Sequence, residues 1–200
     1  MQSARKAFDE NLARVRHLHG LHGVLKMKVT AVVDLSDMLR AEIVMAVSAL
    51  DHYIHEISRL GMIECWLGRR PVTPSFQRFS ISISLAQTLF NPATAVVALD
   101  TIIREKHGYI SFQKPEKIAE AVRLFSSVSL WEEVASILNQ RAEDVKATLG
   151  LIIDRRNKIV HEADVDPSFP DQRWPVDEML VEEMIDNIEN IGHGIHDSCS

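Results

Sequence analysis

Apolar residues recur at intervals of three and four along most of this 200-residue chain. That spacing lines up one face of an α-helix. The longest run lies between about Ser36 and Trp66, where Ile43, Val44, Val47, Leu50, Ile54 and Ile57 share a stripe. A second run, from about Gln140 to Ala163, carries Val145, Leu149, Ile152, Ile153, Ile159 and Val160, with Arg156 and Asn157 at the stripe's margin. A third carries Met184, Ile185, Ile188, Ile191 and Ile195, with Asp177 placed to cap it.

Glycine and proline mark the breaks between runs. Residues 4 to 19 predict a polar helix of modest amphipathicity, ended by a loop at His17-Leu18-His19-Gly20-Leu21-His22-Gly23. Gly61 predicts a bend or an early end in the longest helix. Gly68 to Pro74 reads as a connector, and a helix is expected from about Ser75 to Phe90. Within it, Ile81-Ser82-Ile83-Ser84 alternates like a strand but has no partner in view. Pro92 suits the first turn of a helix that reaches His107 and stops at Gly108. Tyr109 to Lys114 is a loop, Pro115 opens another helix, and Ser129 with Glu132 reads as a capping box. Residues 164–176 hold Pro167, Pro170 and Pro175 and no glycine, which predicts a stiff loop. The expected fold is all-α, an antiparallel bundle with short connections. Residues 1–34 form an appended helix and loop, and residues 35–197 form the helical domain.

Composition narrows the class. Hydrophobic residues make up 46%, enough for a core, and aromatic residues only 6%, which suits helices packed by Leu, Ile, Val and Ala. Cys65 and Cys199 offer neither a disulfide framework nor zinc spacing, so a reducing cytoplasm is the expected setting. Met1 to Lys6 continues into polar sequence without an apolar signal core. No window approaches a membrane span. The net charge of −6 disfavours a general nucleic-acid coat protein. It leaves room for a small basic site, and Arg155, Arg156 and Lys158 form one, offset by Asp154, Glu162 and Asp164.

That site contains the string Arg156-Asn157-Lys158-Ile159-Val160-His161. Asn157 and His161 are four apart and share a helix face. The long side chain of Arg156 can curl round to them. A fixed cation for a phosphate beside a group that titrates near neutrality is what phosphodiester cleavage needs. The string resembles the R-x4-6-H motif, with Asn after the Arg, of the HEPN superfamily, which contains many metal-independent ribonucleases. The segment Arg40 to Glu56, with its Val47-Ser48-Ala49-Leu50-Asp51, is similar to the first core helix of the RiboL-PSP-HEPN group. Asp154 to Asp164 resembles that group's catalytic helix. The resemblance spans residues 35 to 195.

It implies an HEPN-type bundle with additional helices that commonly dimerises, the two motif helices facing each other across a cleft. It also implies RNA as substrate and a role in antiviral defence or a toxin–antitoxin pair, where a protein partner is usual. Some members carry a Tyr shortly after the motif His, which a partner nucleotidyltransferase modifies. Here Glu162, Ala163 and Asp164 follow, a departure from those members.

Each candidate has a plainer reading beside the chemical one. Arg156 would hold the scissile phosphate, or simply pair with Asp154, Glu162 or a glutamate of another helix. His161 would move a proton, or sit at a helix end for its favourable interaction with the dipole. Asn157 would orient His161 or bond a phosphate oxygen, or be a polar residue at a helix contact. Asp51 and His55, four apart, would support the motif helix, or form a buried polar network, or face solvent. Arg155 and Lys158 would guide substrate or be solvated surface. His17, His19 and His22 lack a helix-face spacing and a completing carboxylate or Cys, so no metal and no cofactor is expected. The favoured reading is a metal-independent endoribonuclease working as a homodimer. The rival is a non-catalytic helical module for dimerisation or partner binding.

Overall fold

The computed structural model describes residues 1–30 and 32–199. Among them run nine helices: α1 Gln2–Lys26, α2 Ser36–Trp66, α3 Pro74–Gln77, α4 Ile83–Thr88, α5 Ala95–His107, α6 Pro115–Arg123, α7 Leu130–Leu138, α8 Ala142–His161 and α9 Glu178–Cys199. One two-stranded antiparallel hairpin, β1 Val165–Asp166 and β2 Phe169–Arg173, follows α8. The fold is all-α, as the periodicity predicts.

The 31-residue α2 is the axis of the bundle. Its stripe of Ile43, Ala46, Val47, Leu50, Tyr53, Ile54 and Ile57 is buried. Each such aliphatic side chain contributes about 1.5–3 kcal/mol when it leaves water. Around α2 pack α1, α5, α6, α8 and α9, and α7 bridges α8 and α9. Phe8 of α1 stacks on Tyr53 of α2 with ring centroids 4.9 Å apart. Gly192 of α9 makes that stack possible, because a Cβ there would run into the Phe8 ring.

Several elements depart from their expected form. Helix α1 runs through the expected 17–23 loop to Lys26. Tertiary contacts override the two glycines: His22 is buried, His19 Nδ1 meets Glu42 Oε2 at 2.7 Å, and Lys26 donates to Glu178 at 2.6 Å. Gly61 does not end α2, which continues to Trp66. It is where the Phe125 ring lies against the helix, a place no Cβ can occupy. The expected 75–90 helix is two short ones, α3 and α4, because Thr73 and Ser82 each cap a new start, at Phe76 N and Leu85 N. The helix expected from Pro92 begins at Ala95, after a turn in which Ala93 N donates to Asn91 Oδ1. Ser129 makes no side-chain cap on α7. Asp177 does cap α9, accepting from Leu180 N at 2.8 Å. The proline-rich stretch after α8 folds back on itself as the hairpin.

Candidate active site

The motif occupies the last two turns of α8. Up to Ile153 that helix buries Ala142, Val145, Leu149, Ile152 and Ile153. At 100° per residue, Arg156 continues the line of this stripe, and Asn157 and His161 follow on its flank. The stripe thus changes from apolar to polar where the core ends and solvent begins. Arg156 and Asn157 are half-buried and His161 is exposed.

The two neighbouring arginines have opposite fates. Arg155 turns inward. Its Nη2 donates to Asp164 Oδ2 at 2.9 Å and to the carbonyls of Trp174 and Pro175 at 3.1 and 3.0 Å. Burial holds its pKa below the ordinary arginine value, with Asp164 opposing the shift. Arg156 makes no ion pair among the described residues. Its Nη1 donates to Asn157 Oδ1 at 3.1 Å, and its Nε is shut off from solvent without a partner. A half-buried guanidinium with no counter-charge is electrostatically incomplete, and an anion arriving there meets little competition. The plainer alternative, an ion pair of Arg156 with Asp154, Glu162 or another acid, is not seen among the described residues.

Lys158 reaches back over the Trp174 ring, 5.1 Å from its centroid, a cation–π contact. Arg155 and Lys158 are therefore engaged by the segment after the hairpin, where solvated or substrate-guiding side chains were expected. Asp51 and His55 also bond elsewhere. Asp51 Oδ1 accepts from Phe112 N at 2.6 Å and Oδ2 from Gln113 Nε2 at 3.4 Å. His55 Nε2 meets the Ile110 carbonyl at 3.1 Å. Both residues order the Ile110–Gln113 loop that leads into α6. The histidines of α1 do acquire carboxylate neighbours, Glu42 and Glu178. Even so, no group of three or more His, Cys, Asp or Glu among the described residues is arranged to hold a metal ion.

Sequence reasoning missed the site's anchor. Asp164 is fully buried, and its Oδ2 also accepts from Arg40 Nε at 2.7 Å. Arg40 further donates to Ser36 Oγ at 2.6 Å and to the Trp174 carbonyl at 2.8 Å. A signal was present. Residues 40, 43, 44 and 47 share one helix face, so Arg40 places a charge on an apolar stripe, and a buried charge needs a partner. Nothing in the local sequence named that partner.

Beside the motif lies a shallow, mostly apolar groove between α2 and α8, lined by Ala41, Val44, Met45, Ile159 and Ala163. Met45 stays substantially exposed there, and Val160 is exposed on the motif helix itself.

Residues 26–200 match the model of the family described as RiboL-PSP-HEPN. The chain belongs to that family. Neither a curated protein nor a solved structure matches it. Membership of this HEPN family supports a nuclease-like or RNA-related module. The family match begins at the last residue of α1, so nearly all of that helix lies outside it. No helix among the described residues is long and apolar enough to cross a membrane.

Proposed function

We propose that this HEPN protein is a metal-independent endoribonuclease whose centre is Arg156, Asn157 and His161. The observation that carries the reading is the half-buried Arg156 guanidinium, held by Asn157 and left without a carboxylate, one turn from an exposed imidazole. Arg156 takes the scissile phosphate and stabilises the charge that builds on its oxygens. His161 removes the proton of the RNA 2′-hydroxyl, which attacks the adjacent phosphorus as the 5′-oxygen departs. The products are a 2′,3′-cyclic phosphate and a 5′-hydroxyl.

The leaving oxygen needs a proton while the attacking one loses it, and each chain supplies one motif histidine. Two copies facing each other across a dimer axis divide these roles, one imidazole neutral and one protonated. The apolar groove beside the motif, with Met45 exposed in it, suits such a contact. The setting is a cytoplasmic defence or toxin–antitoxin system, in which a protein partner restrains or triggers the enzyme.

The deciding experiment incubates purified protein with labelled RNA in EDTA, beside the Arg156→Ala, His161→Ala double variant. Cleavage by the wild type alone supports the reading. It should spare DNA and stop at a 2′-deoxy substitution at the cut site, because the nucleophile is then absent. Cleavage that requires magnesium overturns this mechanism.

One observation favours a second reading, a non-catalytic module for dimerisation or partner binding. The net charge is −6, and of the motif's basic residues Arg155 and Lys158 are already engaged within the chain. No cleavage by either protein, together with a stable dimer, would favour that module.

A further inference from the structure

We propose that Asp164 is the positioning residue that fixes the end of the motif helix, and with it the imidazole of His161. The inference rests on the endoribonuclease reading for its consequence in catalysis, and on geometry alone for its consequence in structure.

His161 is the last residue of α8. Final helix turns fray, because their carbonyls have no partners within the helix. An exposed imidazole in such a turn would sample many positions, whereas proton transfer needs one within hydrogen-bond reach of a hydroxyl. The chain deals with this in the next three residues. Glu162 N and Asp164 N both donate to the Lys158 carbonyl, at 2.9 and 3.0 Å. To make that turn, Ala163 and Asp164 both adopt left-handed backbone, at φ 51° and 60°. Two successive residues with side chains in this region are uncommon and hold only where their surroundings compel them.

The compelling contact is the Asp164 carboxylate. It turns inward to zero exposure and accepts from Arg155 of α8 and Arg40 of α2 on a single oxygen. Its backbone carbonyl accepts from Trp174 N at 2.9 Å, which ties in the end of the hairpin. One residue thus joins the last turn of α8 to α2 and to the strand that returns past it. Arg40 and Asp164 are 124 positions apart in sequence, so the motif helix cannot fix its own end without the rest of the bundle.

Asp164→Asn is the sharpest test. Asn is almost the same shape and tolerates left-handed backbone, so the substitution removes charge and leaves the turn's backbone preference intact. It also leaves Arg40 and Arg155 buried without a counter-charge, which destabilises the fold. The Arg40→Gln, Asp164→Asn pair removes both charges of the deeper contact and provides the second arm. For each folded variant, kcat and KM on RNA are measured, together with the Kd for RNA made uncleavable by a 2′-deoxy substitution. The His161 imidazole is followed in parallel by NMR.

The expected result is a kcat lower by about 10–100-fold with KM and Kd within about threefold of wild type, a transition-state loss without a binding loss. The His161 signals should broaden or split where the wild type gives one set. Adding Asp164→Asn to the Arg40→Gln variant should cost much less than it costs alone. A variant that folds, keeps wild-type kcat and leaves the His161 signals unchanged overturns the proposal. So does a kcat loss that merely follows the unfolded fraction. If the wild type cleaves nothing, the ribonuclease reading fails instead. The NMR comparison still judges the positioning role, which is overturned if His161 is equally ordered with and without the Asp164 charge.

Discussion

The last two turns of α8 and the middle of α2 both carry acid, base and histidine at helical spacing, and the fold treats them differently. Around Asp51 and His55 each polar group has found a partner in the Ile110–Gln113 loop. The chemistry there is spent on holding backbone. At the α8 end, Arg155 and Asp164 are spent in the same way, while among the described residues Arg156 keeps only its bond to Asn157 and has no ion pair. Residue type does not distinguish a structural polar cluster from a reactive one. What distinguishes them is whether the groups are already satisfied, and only the assembled fold reveals that.

The largest expected effect tests the α8 end. His161→Ala should lower the cleavage rate by about 10²–10⁴-fold, because a proton-transfer group is lost. Arg156→Lys should also be poor, since an ammonium cannot reproduce a planar two-pronged phosphate contact. In both variants the melting temperature should stay nearly constant, because neither side chain holds another element. Ile153→Asp, one turn up the same helix and buried, should instead unfold the domain by placing a charge in the core. Activity and melting temperature measured side by side decide the matter. Wild-type cleavage by His161→Ala would remove the contrast altogether.

The satisfied region should respond the other way round. Asp51→Ala strips the acceptor from Phe112 N, a backbone group in a buried residue. The cost should be about 1–3 kcal/mol of stability, a fall of several degrees in melting temperature for a domain of this size. Cleavage measured well below the transition should change little. A loss of activity in fully folded Asp51→Ala protein would make Asp51 part of the site and erase the distinction drawn here.

These contrasts also mark how far the sequence could be read. The long helices were legible because a buried stripe at spacing three and four is a property of the local chain. The site string was legible because its residues share one helix, and the V-S-A-L-D segment supported the family. The errors arose where distant residues decide. Gly20 and Gly23 read as a loop because the contacts that keep them helical come from Glu42 and Glu178. The miss at residues 75–90 is local instead: capping by Thr73 and Ser82 competes with apolar spacing. Arg155 and Arg156 are indistinguishable as neighbours in sequence. Their division of labour depends on Asp164 turning back through left-handed backbone toward Arg40. The helical phase of Arg40, a charge on an apolar stripe, is the local sign of the buried contact.

A last effect concerns pH and tests the satisfied side of the comparison once more. His107 ends α5 and is buried among Phe79, Phe112 and His55, in the pocket closed by the loop that Asp51 holds. Burial, with His55 adding to it, pulls its pKa from 6.5 down to about 4. The folded protein therefore keeps His107 neutral, while the unfolded chain takes up a proton near pH 6.5. The stability this represents is fully present above about pH 6.5 and is lost as pH falls toward 4. At about 1.4 kcal/mol per pKa unit, the loss across that window is on the order of 2–3 kcal/mol. Other groups titrate beside it. His196 is shifted down by burial and acts in the same direction, and buried Glu42 is shifted up and acts in the opposite one. Subtraction isolates His107. Denaturant unfolding at several pH values between 4.5 and 7, for wild type and His107→Phe, should show a shallower loss of stability in the variant. Parallel curves would mean that His107 carries no pH-linked stability, and that the pocket behind Asp51 is open enough to hydrate a charged imidazole.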